Sequence, residues 1–264
     1  MSVPLPGPTS AIPAPNASAR STGAAGYVHS WDLSIGVDGP GTRFALFTAG
    51  CPLRCLYCEN PDTWTSRGGR LTQVGQVMTL VHRYQRMLRI SGGGVTVSGG
   101  EPLAQPRFTG TLLHACHQAG LHTALDTSGY LGLLATDAML DDVDLVLLDI
   151  KSFQPDLYRR VTGHELAPTL RFAERLAQLS KPVWIRFVLV PGLTDAAENV
   201  DGLAGYVAGL PNVERVEVLA YHRLGVPKYA ALGIRYPLAG VPEPDDGALE
   251  AARGRFADRG LVVT

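Results

Sequence analysis

Cysteine is scarce in this chain, four residues among 264, and charge of either sign is thin at 18%. Four cysteines, three of them crowded together, do not make the spread framework of a small secreted domain. A reducing compartment, the cytosol, is expected, with the thiols serving a metal or catalysis. The net charge of −1 leaves no broad basic field to attract nucleic acid or an anionic membrane surface. Long apolar runs are also missing. The best candidate, VWIRFVLV at 183–190, is too short to cross a bilayer and carries Arg186. What is plentiful is apolar residue, 45% of the chain, enough for one large core of the size that α/β barrels fold as a unit.

Residues 1–26, MSVPLPGPTSAIPAPNASARSTGAAG, contain no acid and no aromatic residue. Such a segment buries too little to offset its ordering entropy, so a disordered tail is expected there, ahead of a single catalytic domain over 27–264. A transit peptide would be richer in basic residues than the lone Arg20 allows.

Six runs beyond the tail read as strands: RFALFTA (43–49), GVTVS (94–98), HTALD (122–126), DLVLLDI (144–150), PVWIRFVLV (182–190) and VERVEVLAY (213–221). They are short and largely apolar, as parallel strands buried on both faces are. Helical periodicities lie between them. Val74, Val77, Met78, Val81 and Leu88 share one face of a helix from about Thr72, and Leu112, Leu113, Cys116 and Ala119 share another. A helix over 246–259 and a short LVVT close the chain. This alternation predicts right-handed βαβ units and a parallel sheet.

Polar residues decide between an open doubly wound sheet and a barrel. Cys51 follows the first run, and SGGEP (98–102) spans the end of the second. Asp126 ends the third, Asp149 and Lys151 the fourth; Arg186 lies within the fifth, and YHRLG (221–225) closes the sixth. Chemistry spread over the C-terminal ends of most strands marks the rim of a barrel, whereas an open sheet gathers its site at one switch point. Six strands are two short of a closed eight, so a partial barrel is expected.

CPLRCLYCENP at 51–61 sets Cys51, Cys55 and Cys58 apart by gaps of three and two residues. A structural zinc site is closed and tetrahedral, built from two ligand pairs. The second pair is missing here, because Cys116 falls at a core position of a helix, where a thiol acts as a small hydrophobe. Iron–sulfur clusters are normally held by four thiolates. Three would leave one iron of a four-iron cluster open, and an open metal position is where substrates bind. Structural zinc remains the alternative reading of the same residues.

C-x3-C-x2-C with aromatic Tyr57 before the last Cys resembles the signature of the radical S-adenosylmethionine (SAM) enzymes. The segments VDGPGTRF (37–44), GCPLRCLYCENPDTW (50–64), SGGGVTVSGGEPL (91–103), LDTSGY (125–130), LLDIKSF (147–153), VWIRFVLVPG (183–192) and YHRLG (221–225) come in the order of the pyruvate formate-lyase activating enzymes. The resemblance covers essentially all of 27–264. It implies a single-domain α/β fold, a three-quarter (β/α)6 barrel with parallel strands. It also implies reductive cleavage of SAM at a 4Fe-4S cluster and abstraction of a glycine α-hydrogen from pyruvate formate-lyase, leaving a glycyl radical. A flavodoxin-type electron donor and a monomeric chain go with that reading. Related activators often insert a ferredoxin-like segment with further cysteines, which this chain lacks.

Carried over residue by residue, the resemblance gives Cys51, Cys55 and Cys58 to the cluster. Tyr57, Cys58 and Glu59 fall to the adenine side of SAM, and the backbone of Gly99 and Gly100 to its amino group. Asp149, Ile150 and Lys151 fall to its carboxylate and ribose, His222 to the ribose, and Arg186 to SAM or the pocket wall. Asp126 and Thr127 match positions that hold a monovalent cation, and Asp38 matches a contact to the peptide substrate. Residue chemistry alone offers simpler readings of some. Tyr57 suits a core aromatic, Gly99–Gly100 a turn, and Asp126–Thr127 a hydrogen-bonded turn. Asp149 and Lys151 point the same way from one strand and would pair, since an unpaired buried charge is costly. His82, His114, His117, His122 and His164 are expected at the surface or at helix edges.

The chain departs from the family at three places. Glu59 stands where His is frequent, Ala220 where Pro precedes Tyr-His, and Val226 where a basic residue is usual. These lie on the expected substrate side and bear on partner choice. Activation of another glycyl-radical protein, and radical chemistry on a small molecule, stand as alternatives.

Overall fold

Residues 23–264 are described by a computed structural model, so positions 1–22 of the expected tail lie outside the described residues. The boundary of that tail moves. Ala25 and Gly26 already pair with Gln73 and Thr72, because the first strand begins at Ala25.

In chain order the elements are β1 (Ala25–Ile35), β2 (Thr42–Thr48), β3 (Arg70–Gln73), α1 (Val74–Ile90), β4 (Gly94–Gly99) and α2 (Pro106–Gln118). Next come β5 (His122–Thr127), α3 (Asp137–Asp141), β6 (Leu145–Asp149), α4 (Pro155–Thr162), α5 (Ala167–Gln178) and β7 (Val183–Leu189). The chain then forms α6 (Ala197–Ala208), β8 (Val213–Ala220), α7 (Val226–Ala231) and α8 (Asp246–Ala257). All strands join one sheet in the order β3-β1-β2-β4-β5-β6-β7-β8. From β2 to β8 neighbours run parallel, and β1 is antiparallel to both β2 and β3. The edge strands β3 and β8 do not pair with each other, so the barrel is partial and open.

The six parallel strands are those read from the sequence. The antiparallel pair is new. β1 mixes His29, Ser30, Asp32 and Ser34 with Val28 and Trp31, and only the latter two are buried, so it lacks the continuous apolar run of a central strand. Trp31 stacks on Phe44 of β2 at 4.9 Å between ring centroids, which ties the added strand to the barrel.

Side chains alternate across each strand, and the alternation sorts the fold into two layers. Outward positions such as Leu46, Val97, Leu125, Val146, Leu148, Ile185, Phe187 and Val218 join the main core. The helices meet them there with Val77 and Val81 of α1, Leu112 and Leu113 of α2, Phe172 of α5, Leu203 of α6 and Phe256 of α8. Inward positions Ala124, Leu145, Leu147 and Trp184 form a separate small cluster that fills the bore. Arg43, fully buried, joins β2 to β4 and β5: its guanidinium donates to Thr96 Oγ1 at 2.9 Å and to the Val95 carbonyl at 2.6 Å, and meets His122 Nδ1 at 3.1 Å. His122 is therefore half-buried and partnered rather than a surface residue, because its ring abuts the buried cation. No helix among the described residues is long and apolar enough to cross a membrane.

Candidate active site

At the C-terminal ends of the parallel strands lies a cavity of about 470 Å³. The inward parity of the strands continues into its wall: Phe47 on β2, Ser98 on β4, Asp126 on β5, Asp149 on β6, Arg186 and Val188 on β7, and Leu219 on β8. Hydrophobic fill below and a polar ring above thus follow from one period-two pattern.

The cysteine loop leaves β2 and closes one side of the cavity. Its backbone is pinned at several points. Gly50 N donates to Thr63 O at 2.6 Å, Cys51 N to Trp64 O at 3.1 Å, Arg54 N to Thr162 O at 2.9 Å and Leu56 N to Val161 O at 2.9 Å. Arg54 reaches back to the Cys51 and Leu53 carbonyls at 2.7 Å, and Leu53 is buried beneath them. Cys51, Cys55 and Cys58 all line the cavity as free thiols. Burial raises each of them above the ordinary thiol range, Cys55 to about 12 even though nearby Lys151 pulls it down. Such thiols become thiolates when a metal core supplies positive charge.

Charged groups in and behind the wall organise the rest of the site. Lys151 pairs with Asp149 Oδ2 and stands 5.7 Å from the Tyr57 ring centroid. Burial works against the Lys151 ammonium, but Asp149, Tyr57 and Cys55 hold its pKa well above the usual lysine value. Arg186 joins three elements: Nε donates to Glu217 Oε2 on β8 at 2.9 Å, one terminal nitrogen lies 3.3 Å from Asp126 Oδ2 on β5, and the other donates to the Val37 carbonyl. Asp126 also accepts from Ser98 Oγ at 2.7 Å, and burial pushes its carboxyl up to about 6 although Arg186 pulls it down. Glu101, 1% exposed, accepts from Thr127 Oγ1 at 2.6 Å, Ser128 Oγ at 2.6 Å, Ser128 N at 3.0 Å and Leu103 N at 3.1 Å. It fastens the turn after β4 to the turn after β5.

Nearly all the site residues expected from sequence meet here. Asp38, Cys51, Cys55, Tyr57, Cys58, Glu59, Gly99, Gly100, Asp126, Thr127, Asp149, Lys151, Arg186 and His222 all line the cavity. Ile150 does not. It lies next after Asp149, so its side chain takes the opposite face and packs in the main core, fully buried. Asp149 and Lys151 pair directly, as residue chemistry alone suggested. Thr127 spends its hydroxyl on Glu101, and Asp126 shares its carboxylate with Arg186. At the mouth, Glu59 lies 3.6 Å from His222 Nε2. His164 is half-buried, with Nε2 3.0 Å from the Pro52 carbonyl and its ring 4.6 Å from that of Tyr130. It follows the C-terminal end of α4, the helix-edge place expected for it, and is held there against the cysteine loop.

Glu101 and Glu217 are the site carboxylates that the sequence reading passed over. Both left a signal: Glu101 stands inside SGGEP, and Glu217 is two residues before Leu219 on β8, an inward position where a carboxylate requires a partner.

Donor chemistry and orphaned atoms test which groups fit this cavity. Three free thiols without a fourth cysteine beside them suit a cluster that keeps one iron open. Among the described residues, no group of three or more His, Cys, Asp and Glu is gathered as around a single metal ion. The buried hydroxyls of Tyr57 and Tyr229 and the buried Oδ1 of Asp149 have no hydrogen-bond partner among the described residues. A polar ligand in the cavity and sulfur atoms at the thiols would satisfy them.

Gly99 shows how tightly the backbone is drawn in. Its φ is +120°, and a Cβ there would lie 2.1 Å from Thr48 N. Gly99→Ala is therefore expected to cost roughly 2–3 kcal/mol, from backbone strain and the displaced β2 edge. Thermal unfolding of the chain checks this; an unchanged midpoint contradicts the close approach.

Residues 45–203 match the Radical SAM superfamily. The chain is 40% identical over 240 residues to the pyruvate formate-lyase 1-activating enzyme of Escherichia coli strain K12, covering 90% of this chain and 98% of that one. It is 44% identical over 237 residues to the pyruvate formate-lyase-activating enzyme of Staphylococcus aureus strain USA300, covering 86% of this chain and 93% of that one. Among solved structures, a domain of pyruvate-formate lyase-activating enzyme from Bacteroides vulgatus ATCC 8482 matches with TM-score 0.53 at 28% identity, over 66% of this chain and 98% of that one. Streptococcus suis SuiB bound to S-adenosylmethionine matches with TM-score 0.62 at 16% identity, over 86% of this chain and 50% of that one, a likeness of fold alone.

Proposed function

Because this chain belongs to the Radical SAM superfamily, and within it to the pyruvate formate-lyase activating enzymes, we propose that it installs a glycyl radical on pyruvate formate-lyase. The observation that carries the reading is the meeting of three free thiols with a ring of inward polar side chains around one cavity.

When bound, the 4Fe-4S cluster and SAM supply a reductively generated organic radical able to take an α-hydrogen from glycine. The chain's own residues hold and aim. Cys51, Cys55 and Cys58 would carry the cluster on a loop already fixed by backbone hydrogen bonds. The free Oδ1 of Asp149 is an acceptor for a ligand hydroxyl or ammonium, and Lys151 beside it a donor for a carboxylate. Gly99 and Gly100 present the backbone of the β4 turn to the cavity, and Tyr57, Glu59 and His222 border it as well. Phe47, Val188 and Leu219 contribute to the apolar part of the wall, with Val37, Leu53 and Trp64, and would limit water at the reacting position. Arg186 holds the Val37 carbonyl and with it the turn that carries Asp38, the residue assigned to the substrate peptide.

The finer points belong to the same reading: a flavodoxin-type electron donor, a monomeric chain and a cytoplasmic setting. The monovalent cation implied by the family would sit against Asp126 and Thr127, sharing the Asp126 carboxylate with Arg186.

Anaerobic reconstitution with iron, sulfide, reductant and SAM tests the function. Formation of 5′-deoxyadenosine together with a glycyl electron-spin signal on pyruvate formate-lyase is expected. Zinc without sulfide in anaerobically purified protein would overturn the reading.

A further inference from the structure

α7 is seated on the cysteine loop. Gly225, just before it, approaches so closely that a Cβ there would lie 2.8 Å from the Glu59 carbonyl and 3.0 Å from that of Cys58. Lys228 fastens the same helix to Asn60 Oδ1 and lies 3.7 Å from Asp62. Between these contacts Tyr229 enters the interior, 1% exposed. Its ring meets Trp64 edge-on at 5.7 Å and Tyr236 at 4.9 Å.

Tyr229 is chemically odd in this place. A buried phenol with no partner is destabilised relative to a satisfied one, and Phe would fill the same apolar cluster without that loss. Neighbouring phenols are satisfied within the chain. Tyr221 and Tyr236 bond each other at 2.8 Å, and Tyr158 bonds Thr169 at 2.9 Å. The Tyr229 hydroxyl hydrogen has no such acceptor among the described residues, although the phenol oxygen lies against the Cys58 backbone amide. Tyr57 is also orphaned, but it lines the cavity and a ligand there can reach it, whereas Tyr229 stands behind the wall. Cys58 and Trp64 pack against the same buried cluster as Tyr229, which sets the phenol beside the end of the cysteine loop. Cys58 already has one donor, the Trp64 side chain.

We propose that Tyr229 donates its hydroxyl hydrogen to the sulfur that Cys58 contributes to the cluster, acting with Trp64 to raise the cluster's reduction potential. The inference rests on the proposed iron–sulfur site. A thiolate gains electron density when the cluster is reduced, so a hydrogen bond to it stabilises the reduced form more than the oxidised one. Tyr229 is a tuning residue with no contact to the substrate.

The test is a redox titration of the anaerobically reconstituted full chain, followed by the electron-spin signal of the reduced cluster, with iron and sulfide measured in parallel. Tyr229→Phe is expected to keep wild-type iron and sulfide and to titrate at a more negative potential. Tyr236→Phe, which removes a hydroxyl bonded only to another tyrosine, is expected to titrate with the wild type. An unchanged potential in Tyr229→Phe overturns the proposal, as does an equal shift in both variants, which would assign the effect to packing. Should Tyr229→Phe lose the cluster, the metal-free chain decides: wild-type thermal unfolding supports a lost contact to the cluster, and a lowered midpoint overturns the proposal. Wild-type protein without iron and sulfide would instead sink the underlying function, so the two failures are distinguishable.

Discussion

Cys55→Ala is expected to leave the chain folded and to remove reductive SAM cleavage altogether. Each of the three thiols carries one corner of the site, and no fourth stands near to replace it. Cys116 is fully buried in α2 with its sulfur 3.6 Å from Met78 Sδ, on the far side of the sheet from the cavity. Folding should survive, because the cysteine loop is held by main-chain bonds from Gly50, Cys51, Arg54 and Leu56 that do not involve thiols. Losing one partly exposed sulfur is expected to cost no more than about 1 kcal/mol. Iron, sulfide and 5′-deoxyadenosine measured on the reconstituted variant check the first half, and unfolding of the metal-free chain checks the second. Full activity in Cys55→Ala would remove the basis for an iron–sulfur site.

Glu101→Ala should be the most damaging polar substitution for the fold. The carboxylate accepts from two hydroxyls and two backbone amides, and its removal would leave four buried donors facing one another. Burial raises the pKa of this carboxyl, while the hydrogen bonds from Ser128 and Thr127 work to keep it ionised. Leaving such donors unsatisfied is expected to cost on the order of 3–5 kcal/mol. For a chain of this length that lowers the unfolding midpoint by roughly 10 °C. Glu101→Gln keeps one acceptor oxygen and should lose less than half as much. Denaturant unfolding of the two metal-free variants gives the comparison, and equal losses would show that volume rather than hydrogen bonding matters at this position.

Much of the fold and site was legible because buried parallel strands write themselves as uninterrupted apolar runs, and because rim residues interrupt those runs at their ends. RFALFTA, DLVLLDI and VWIRFVLV are examples. β1 was hidden by the opposite property: as part of an added antiparallel pair it puts only Gly26, Val28 and Trp31 fully inside, so its composition looks like that of a loop. Within the site, motif spacing located the cysteines, but facing direction depends on where a strand ends. Ile150, adjacent to two cavity residues, turns its side chain to the core. Glu217 signalled only that it needed a partner, and Tyr229 gave no signal. Their importance comes from partners distant in the sequence, Arg186 on a neighbouring strand and the Cys58 loop, and only the folded chain brings these pairs together.

The unjoined edges of the sheet bear on what kind of molecule can be served. Along a sealed cylinder the only approach to the floor is end-on, which suits compounds small enough to drop in. Here β3 and β8 never meet, and Leu219 and Ala220 of β8 border the cavity on that flank. Under the proposed function a polypeptide client would enter along this seam only above the chain's own last residues, which lie along β8: Val216 N donates to the Val262 carbonyl at 2.8 Å and Val218 N to that of Thr264 at 3.0 Å.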